Sequence, residues 1–429
     1  MKNEQTSREK RRRRRVRNQI LAYFTLIVIM ALIIAAGYFS VKGVISYVKK
    51  YNDKVNRVIE EAESSAAAEL SDDIYTGEQE NNTEISTGGD TSGEQQSDPL
   101  DELIQSLLND MTLEEMVAGM FMVSPESITG VGTAVQAGDG TKTAITENPV
   151  GGIIYSAKNF QSQEQFTEMI ANTRGYAKYP IFTAVKAECG DNTDFGLEAS
   201  AKASELTDTD AVREVYGNIA SKLSGYGINM NMAPVSEIVS EDGEPSLQGR
   251  TFGSDAAVAA PLVNAAAQAM QEKEVSAVLQ KFPGTAAGAK TLEELKNSEF
   301  VIYDMAIKNG VDCIMVSNVQ VSGVTGDDTP ASLSSVMIHD VLRDTLGFQG
   351  VVITDSLSDS AVTAGYSSAD AAVAAINAGA DMLLEPANYQ EAYEGVLQAI
   401  ADGKITEERI HESMYRIYRV KYKNALDES

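Results

Sequence analysis

The longest apolar run of the chain covers residues 20–41 and contains no charged side chain. A helix of 22 residues, at about 1.5 Å per residue, would span roughly 33 Å and cross a bilayer core of roughly 30 Å. Residues 11–15 are five consecutive arginines, so the positive-inside rule predicts a cytoplasmic tail over 1–19 and an extracytoplasmic remainder. A cleaved signal peptide is the alternative, but its apolar core is typically about 7–15 residues long. The length therefore favours an uncleaved transmembrane helix over 20–41.

The pattern changes twice after this run. Residues 42–70 carry apolar side chains at helical spacing, which predicts a juxtamembrane helical stalk. Residues 71–97 are polar, acidic and rich in Gly, Ser and Thr, the composition of a disordered linker. The folded domain is therefore expected to cover 98–429.

Within that domain, short apolar runs alternate with longer amphipathic segments. Eight runs predict strands, at 118–123, 151–155, 181–185, 228–235, 277–282, 311–316, 351–354 and 380–384. Amphipathic stretches predict helices between most of them, for example at 163–177, 208–224, 256–274 and 389–402. Strands that alternate with helices indicate a parallel sheet, and eight such units predict an α/β fold, a (β/α)8 TIM-type barrel. A doubly wound open sheet is the alternative, although no Gly-x-Gly-x-x-Gly turn supports its dinucleotide-binding form.

Composition narrows the possible functions. The chain has 35 basic and 62 acidic side chains and a formal net charge of −27, so it would repel nucleic-acid phosphates and no nucleic-acid partner is predicted. Two cysteines and two histidines argue against a disulfide scaffold and leave little room for a metal centre. No metal and no cofactor are predicted. Cys189 and Cys313 are expected to be free, buried thiols, and His339 and His411 to be surface or packing residues.

In a barrel, the chemistry lies where the strands end. The residues at these positions are Tyr155, Lys186, Glu188, Glu237, Lys281, Asn318, Asp355 and Glu385. Several carboxylates around one opening indicate glycoside cleavage or sugar binding. Any one of them alone, except Asp355, is more often a solvated loop charge or a helix cap than a functional residue.

Residues 341–355, VLRDTLGFQGVVITD, closely resemble the active-site signature of glycoside hydrolase family 3. Further blocks that resemble this family occur in the family's order, at 111–115, 151–155 with Asn159, 227–235, 249–255, 282–284 and 378–384. The resemblance extends over roughly 98–425, the whole predicted barrel. Since no sandwich domain follows, the expected subgroup is the single-domain β-N-acetylhexosaminidases.

The resemblance implies a retaining double displacement with Asp355 as the nucleophile. The subgroup takes its acid/base from an Asp-His pair on the loop after the fifth strand. The matching loop here, 282–290, contains neither a histidine nor a carboxylic acid. Glu188, Glu237 and Glu293 are the candidates to replace the missing acid.

The motifs that hold the sugar are also degenerate. Where the family usually has Lys-His-Phe-Pro-Gly-His, residues 280–285 are QKFPGT, and Asn318 stands where a histidine is usual. Lys186 replaces an aspartate that accepts hydrogen bonds from sugar hydroxyls, whereas a lysine can only donate them. The resemblance still implies substrate-binding roles for Arg250, Lys281, Glu188 and Asn318. Lys186 or Lys281 is expected to pair with Asp355 and to reduce its nucleophilicity.

Two functional hypotheses follow. The first is an extracytoplasmic glycosidase anchored in the cell membrane through 20–41, related to β-N-acetylglucosaminidases that act on cell-wall amino sugars such as peptidoglycan fragments. The second is a pseudoenzyme, a glycan-binding or protein-interaction module at the cell wall. General acid–base catalysis contributes roughly 10²–10⁴-fold, so without an acid the predicted hydrolysis is weak or lost. Carbohydrate is the predicted ligand in either case.

Overall fold

The computed structural model describes residues 98–240 and 243–423. The predicted cytoplasmic tail (1–19), transmembrane helix (20–41), stalk (42–70) and linker (71–97) therefore lie outside the described residues. Among the helices of the described ranges, none combines the length and hydropathy that a bilayer crossing requires.

Eight parallel strands form the centre of the domain. They are β1 Phe121–Val123, β2 Gly152–Tyr155, β3 Phe182–Val185, β4 Met230–Asn231, β5 Ser276–Phe282, β6 Cys313–Val316, β7 Val351–Thr354 and β8 Leu383–Leu384. Hydrogen bonds join them in the order β7-β6-β5-β4-β3-β2-β1-β8. A single parallel bridge between Ile353 and Met382 brings β7 next to β8, so that the sheet forms a nearly closed barrel. The predicted TIM-type barrel is therefore confirmed, and the open-sheet alternative is wrong.

Four strand predictions need correction at their ends. β6 and β8 begin later than the predicted runs 311–316 and 380–384. The predicted run 118–123 begins too early, because the helix that starts after the Thr112 capping box continues to Gly119. β4 occupies only two residues of the predicted run 228–235. Pro234 lies in the rest of that run and has no N–H for a strand ladder.

The helices pack around the strands. They are α1 Pro99–Asn109, α2 Leu113–Gly119, α3 Pro125–Thr129, α4 Asp139–Glu147, α5 Gln163–Tyr176, α6 Thr209–Gly225, α7 Ala256–Gln271, α8 Leu292–Lys296, α9 Glu299–Lys308, α10 Ser322–Thr325, α11 Ser360–Thr363, α12 Ser368–Ala378, α13 Tyr389–Ala401 and α14 Glu407–Tyr422. A π-helical segment, Val336–Thr345, precedes β7. The predicted helices at 163–177, 208–224, 256–274 and 389–402 are confirmed within a few residues as α5, α6, α7 and α13.

A buried carboxylate connects the last helix to the barrel. Asp381 lies just before β8 and is fully buried, and it accepts a hydrogen bond from the backbone N–H of Val352 at 2.9 Å. Three guanidinium groups surround its carboxylate: Arg343 donates from the π-helical segment, and Arg409 and Arg416 of α14 lie 3.7 and 3.3 Å away. This network stabilises the packing of α14 against β7 and β8.

The four Cys and His predictions are confirmed with one difference. Cys189 and Cys313 are both free thiols, and Cys313 is buried, but Cys189 is only partly buried. His339 is exposed on the π-helical segment and His411 is half-buried in α14. Neither histidine lies at a strand end.

Candidate active site

The mouth of the barrel is the end at which the eight strands terminate. Its charged residues on the β3, β4, β5 and β7 sides are Lys186, Glu188, Glu237, Arg250, Lys281 and Asp355. Asp355 directly follows β7, and Lys281 lies inside β5. Because parallel strands of a barrel end on the same face, residues far apart in the sequence meet there.

Asp355 forms an ion pair with Lys281. The Lys281 Nζ atom donates to Asp355 Oδ2 at 2.6 Å, and the backbone N–H of Ser356 donates to Oδ1 at 3.0 Å. The Asp355 side chain is 14% exposed. The predicted lysine–aspartate pairing is confirmed, with Lys281 as the lysine in contact, and both carboxylate oxygens of Asp355 already have a hydrogen-bond donor.

Glu188 and Arg250 form a second ion pair in the mouth. Arg250 Nε donates to Glu188 Oε2 at 2.6 Å, and Arg250 Nη2 donates to Oε1 at 2.7 Å. This bidentate arrangement is the strongest common form of carboxylate–guanidinium contact. Glu188 is therefore held as an acceptor, which does not suit the predicted role of replacement acid.

Glu237 lies in a different environment. It is only 3% exposed, and its Oε2 accepts the backbone N–H of Thr285 at 2.5 Å. Burial raises the pKa of Glu237, while the Thr285 hydrogen bonds and the charges of Lys281 and Arg250 oppose that rise. A buried carboxyl group with a raised pKa has the chemistry of a general acid. Glu237 is therefore the best suited of the three predicted replacements.

Glu293, the third candidate for the missing acid, does not lie with the charged residues of the mouth. Glu293 is exposed in α8, and its carboxylate accepts from Asn297 at 3.3 Å, one helical turn away. A side chain on the outer surface that bonds within its own helix end contributes to local structure. The prediction of Glu293 as an acid is not supported.

Asn318 supports the residue that follows Asp355. Its Nδ2 donates to the carbonyl oxygen of Ser356 at 2.8 Å, and its Oδ1 accepts from Ser332 at 2.6 Å. The residue is only 6% exposed, so little of its surface is accessible to a ligand. The structure therefore gives Asn318 a positioning role, and the predicted contact with sugar is not supported. Tyr155 is likewise buried and packs against Phe166.

A second polar group lies where β8, β1 and β2 end. Glu126 Oε1 accepts from Asn159 Nδ2 at 2.7 Å and from the backbone N–H of Ala134 at 2.9 Å, and Lys158 Nζ lies 3.6 Å from Oε2. Burial raises the pKa of Glu385, which follows β8, and the charge of Lys158 opposes this rise. Sequence reasoning identified Glu385 but missed Glu126, although Glu126 follows β1 by only three residues.

Potential metal ligands cluster elsewhere. Among the residues that the structure describes, the exposed side chains of His339, Asp340 and Asp344 form such a group on the π-helical segment. That segment leads into β7 and is not part of the mouth. Exposed acidic groups often lie close together without an ion, so this cluster assigns no metal to the protein.

The buried carboxyl of Glu237 predicts a specific pH dependence. Because its pKa is raised in the folded state from an ordinary value of 4.5, the folded protein binds this proton more tightly than the unfolded chain. The contribution of Glu237 to the free energy of unfolding should therefore fall as the pH rises from about 4.5 through the raised pKa. Glu237→Gln should remove this decline, measured by urea unfolding between about pH 4 and 8.

The matched control is Glu293→Gln, because Glu293 is exposed in α8. We expect this variant to retain the pH dependence of the original protein. An unchanged decline in Glu237→Gln would show that Glu237 does not cause it.

The fold and the mouth can be compared with known proteins. The model of the glycosyl hydrolase family 3 N-terminal domain matches residues 112–420. The β-N-acetylglucosaminidase/β-glucosidase of Cellulomonas fimi is 31% identical over 233 residues, which is 50% of this chain and 41% of that protein. The β-hexosaminidase of Tolumonas auensis is 29% identical over 271 residues, which is 57% of this chain and 78% of that protein.

A solved structure agrees with these relatives. The family 3 β-N-acetylglucosaminidase of Paenibacillus sp. str. FPU-7 superposes with a TM-score of 0.68 at 30% identity, covering 74% of this chain and 63% of that chain. This chain thus spans less than two thirds of two of the three relatives. The family match nevertheless includes all eight strands and every charged residue of the mouth. The chain therefore belongs to glycosyl hydrolase family 3, as a relative of its β-hexosaminidases and β-N-acetylglucosaminidases.

Proposed function

We propose that this chain is a membrane-anchored, extracytoplasmic member of family 3 that binds amino-sugar glycans of the cell wall, such as peptidoglycan fragments, and hydrolyses them poorly or not at all. The ion pair between Lys281 and Asp355, 2.6 Å long, carries this proposal. The apolar run at 20–41 supports the anchor. The names of the relatives, β-hexosaminidase and β-N-acetylglucosaminidase, support an amino sugar as the ligand.

The ion pair affects the first chemical step. To form a glycosyl intermediate, a lone pair of Asp355 must attack the anomeric carbon. The ammonium of Lys281, which donates to Oδ2, stabilises the negative charge of this carboxylate and so lowers its nucleophilicity. A hydrogen bond to a charged group contributes about 1.5–3 kcal/mol, so breaking the Lys281 contact would slow attack by roughly 10- to 100-fold.

The missing acid/base affects both steps. A retaining glycosidase must protonate the leaving oxygen and then deprotonate the attacking water. The loop 282–290 has no histidine or carboxylic acid for these transfers. Combined with the pairing of Asp355, this loss would reduce hydrolysis of ordinary glycosides by about 10³–10⁶-fold.

The mouth retains groups that can bind a sugar. Arg250, Lys186 and Lys281 supply N–H donors, and all three are at least partly exposed. Carboxylates beside them provide acceptors. Donors and acceptors grouped at one end of the barrel are what hydroxyl and acetamido groups require.

The test uses the full chain in detergent, together with Asp355→Ala. An aryl N-acetyl-β-glucosaminide serves as the activated substrate, and binding of N-acetylglucosamine oligomers is measured by calorimetry. We expect binding by both proteins and no turnover above that of Asp355→Ala. Turnover that Asp355→Ala abolishes would overturn the pseudoenzyme proposal.

The second candidate function is hydrolysis with Glu237 as acid/base, and the raised pKa of Glu237 favours it. In that case alkyl glycosides, whose leaving groups need protonation, should be cleaved. Glu237→Gln should then slow alkyl glycosides about 10²–10⁴-fold and aryl glycosides much less. Equal slowing of both substrates would exclude Glu237 as the acid.

A further inference from the structure

We propose that Lys186 binds a carboxylate carried by a sugar ring, so that the mouth selects acidic sugars over neutral ones. The proposal rests on the proposed function, because it specifies which glycan the mouth takes. Lys186 directly follows β3 and points its ammonium into the group formed by Glu188, Arg250, Lys281 and Asp355, whose charges all act on it.

The carboxylates near Lys186 are already bound by other donors. Asp355 accepts from Lys281 and from the N–H of Ser356. Glu188 accepts two hydrogen bonds from Arg250. Lys186 Nζ lies 3.6 Å from Glu188 Oε1, which is beyond hydrogen-bond range. Within 98–240 and 243–423, Lys186 is thus the cation of this group whose N–H donors are not used.

Lys158 shows why this position is unusual. Both lysines are about half exposed, 49% for Lys186 and 51% for Lys158, and each lies 3.6 Å from one glutamate oxygen. The oxygen beside Lys158, Glu126 Oε2, is buried and has no hydrogen-bond partner among the described residues. Lys158 therefore neutralises a carboxylate that needs it. The glutamate beside Lys186 is already neutralised by Arg250.

The charge of Lys186 carries an electrostatic cost where it lies. Partial burial lowers the pKa of Lys186, and the positive charges of Arg250 and Lys281 lower it further, against the opposing effect of Glu188 and Asp355. A bound anion beside Nζ would offset that cost. A neutral sugar could use the N–H donors but would add no negative charge to those of Glu188 and Asp355.

The surrounding carboxylates restrict the charge of the ligand. Glu188, Glu237 and Asp355 all lie in this part of the mouth, and each would repel a second negative charge. A carboxylate carries one negative charge, whereas phosphate carries up to two near neutral pH. We therefore assign a carboxylate, which a hexuronic acid carries on C5 and a muramic acid carries on its lactyl ether.

The experiment measures binding to the full chain in detergent by calorimetry. The probes are N-acetylglucosamine, glucuronic acid, N-acetylmuramic acid and inorganic phosphate. We expect the original protein to bind at least one acidic sugar about 10-fold more tightly than N-acetylglucosamine, since a charge-assisted hydrogen bond adds to the contacts that both sugars make. Comparing the two acidic sugars identifies which position of the carboxylate fits.

Lys186→Met should lose this preference, so that its affinities for the acidic sugars and for N-acetylglucosamine become equal. Lys186→Arg, which keeps the charge, should retain at least part of the preference. Lys158→Met is the matched control, because Lys158 has the same exposure and the same distance to a glutamate. It should leave the preference unchanged.

The outcomes separate this inference from the proposed function. Equal affinity of the original protein for neutral and acidic sugars overturns the inference and leaves glycan binding intact, whether or not the variants fold. Tighter binding of phosphate than of either acid, or an equal loss in Lys158→Met, also overturns it. No binding of any sugar overturns the proposed function as well.

Discussion

Lys281→Met should release about one equivalent of phenol per protein in a rapid burst when it is mixed with an aryl N-acetyl-β-glucosaminide. An aryl leaving group departs as phenolate without an acid, so the first step depends on Asp355 alone. Removing Lys281 frees Asp355 Oδ2 from the ion pair that now occupies it. We expect bond formation between this oxygen and the anomeric carbon to accelerate roughly 10- to 100-fold, the equivalent of one charged hydrogen bond.

The burst should be followed by a slow phase. The second step requires a base to take a proton from the attacking water, and the loop 282–290 supplies no histidine or carboxylic acid. The glycosyl ester on Asp355 should therefore accumulate. Stopped-flow absorbance measures the burst, and intact-mass spectrometry measures the added sugar.

Two further variants control this result. Lys281→Met combined with Asp355→Asn should show neither the burst nor the added mass. Lys158→Met removes a lysine that forms an ion pair with Glu126, and it should behave like the original protein. A slower first step in Lys281→Met would contradict the masking role and indicate that Lys281 assists Asp355.

Asp381→Ala is expected to lower the free energy of unfolding by about 3–5 kcal/mol. The variant removes a fully buried carboxylate and leaves the guanidinium groups of Arg343, Arg409 and Arg416 without their shared anion. All three arginine side chains are mostly buried. An unpaired charge in such a position costs far more than the same charge at the surface. Packing of α14 should therefore weaken first.

Urea unfolding followed by circular dichroism measures this loss. Asp304→Ala is the control, because Asp304 pairs with Lys308 at 2.7 Å within one exposed helical turn. Exposed pairs of this kind contribute about 0.3–0.5 kcal/mol. A similar loss in both variants would show that the Asp381 network does not determine stability.

Local patterns predicted much of the fold. The apolar runs at 151–155, 181–185 and 351–354 coincide within one residue with β2, β3 and β7. These runs are buried on both faces, as strands of a parallel barrel must be. Continuous hydrophobicity was therefore sufficient to predict them as strands. The end of β4 was less predictable, because hydrophobicity alone does not show where ladder hydrogen bonds stop.

The candidate site was predictable only in part. Asp355, Lys281 and Glu188 follow from their places at strand ends and from the family resemblance, and the structure brings them to one mouth. The role of Asn318 did not follow, because its amide bonds to Ser332 and to the backbone of Ser356. Such contacts depend on loop paths that no local pattern encodes.

The sequence by itself determined the barrel, the family and the loss of the usual histidines. The barrel follows from local patterns of apolar residues, and the other two follow from residue identity. Only the tertiary structure decided which lysine pairs with Asp355 and that Arg250 forms the ion pair with Glu188. It also decided that the ammonium of Lys186 donates no hydrogen bond to Glu188. The physical reason is that ion pairs depend on distances of a few ångströms between residues far apart in the chain. The burial that raises the pKa of Glu237 is set in the same way, by the loops that close around it.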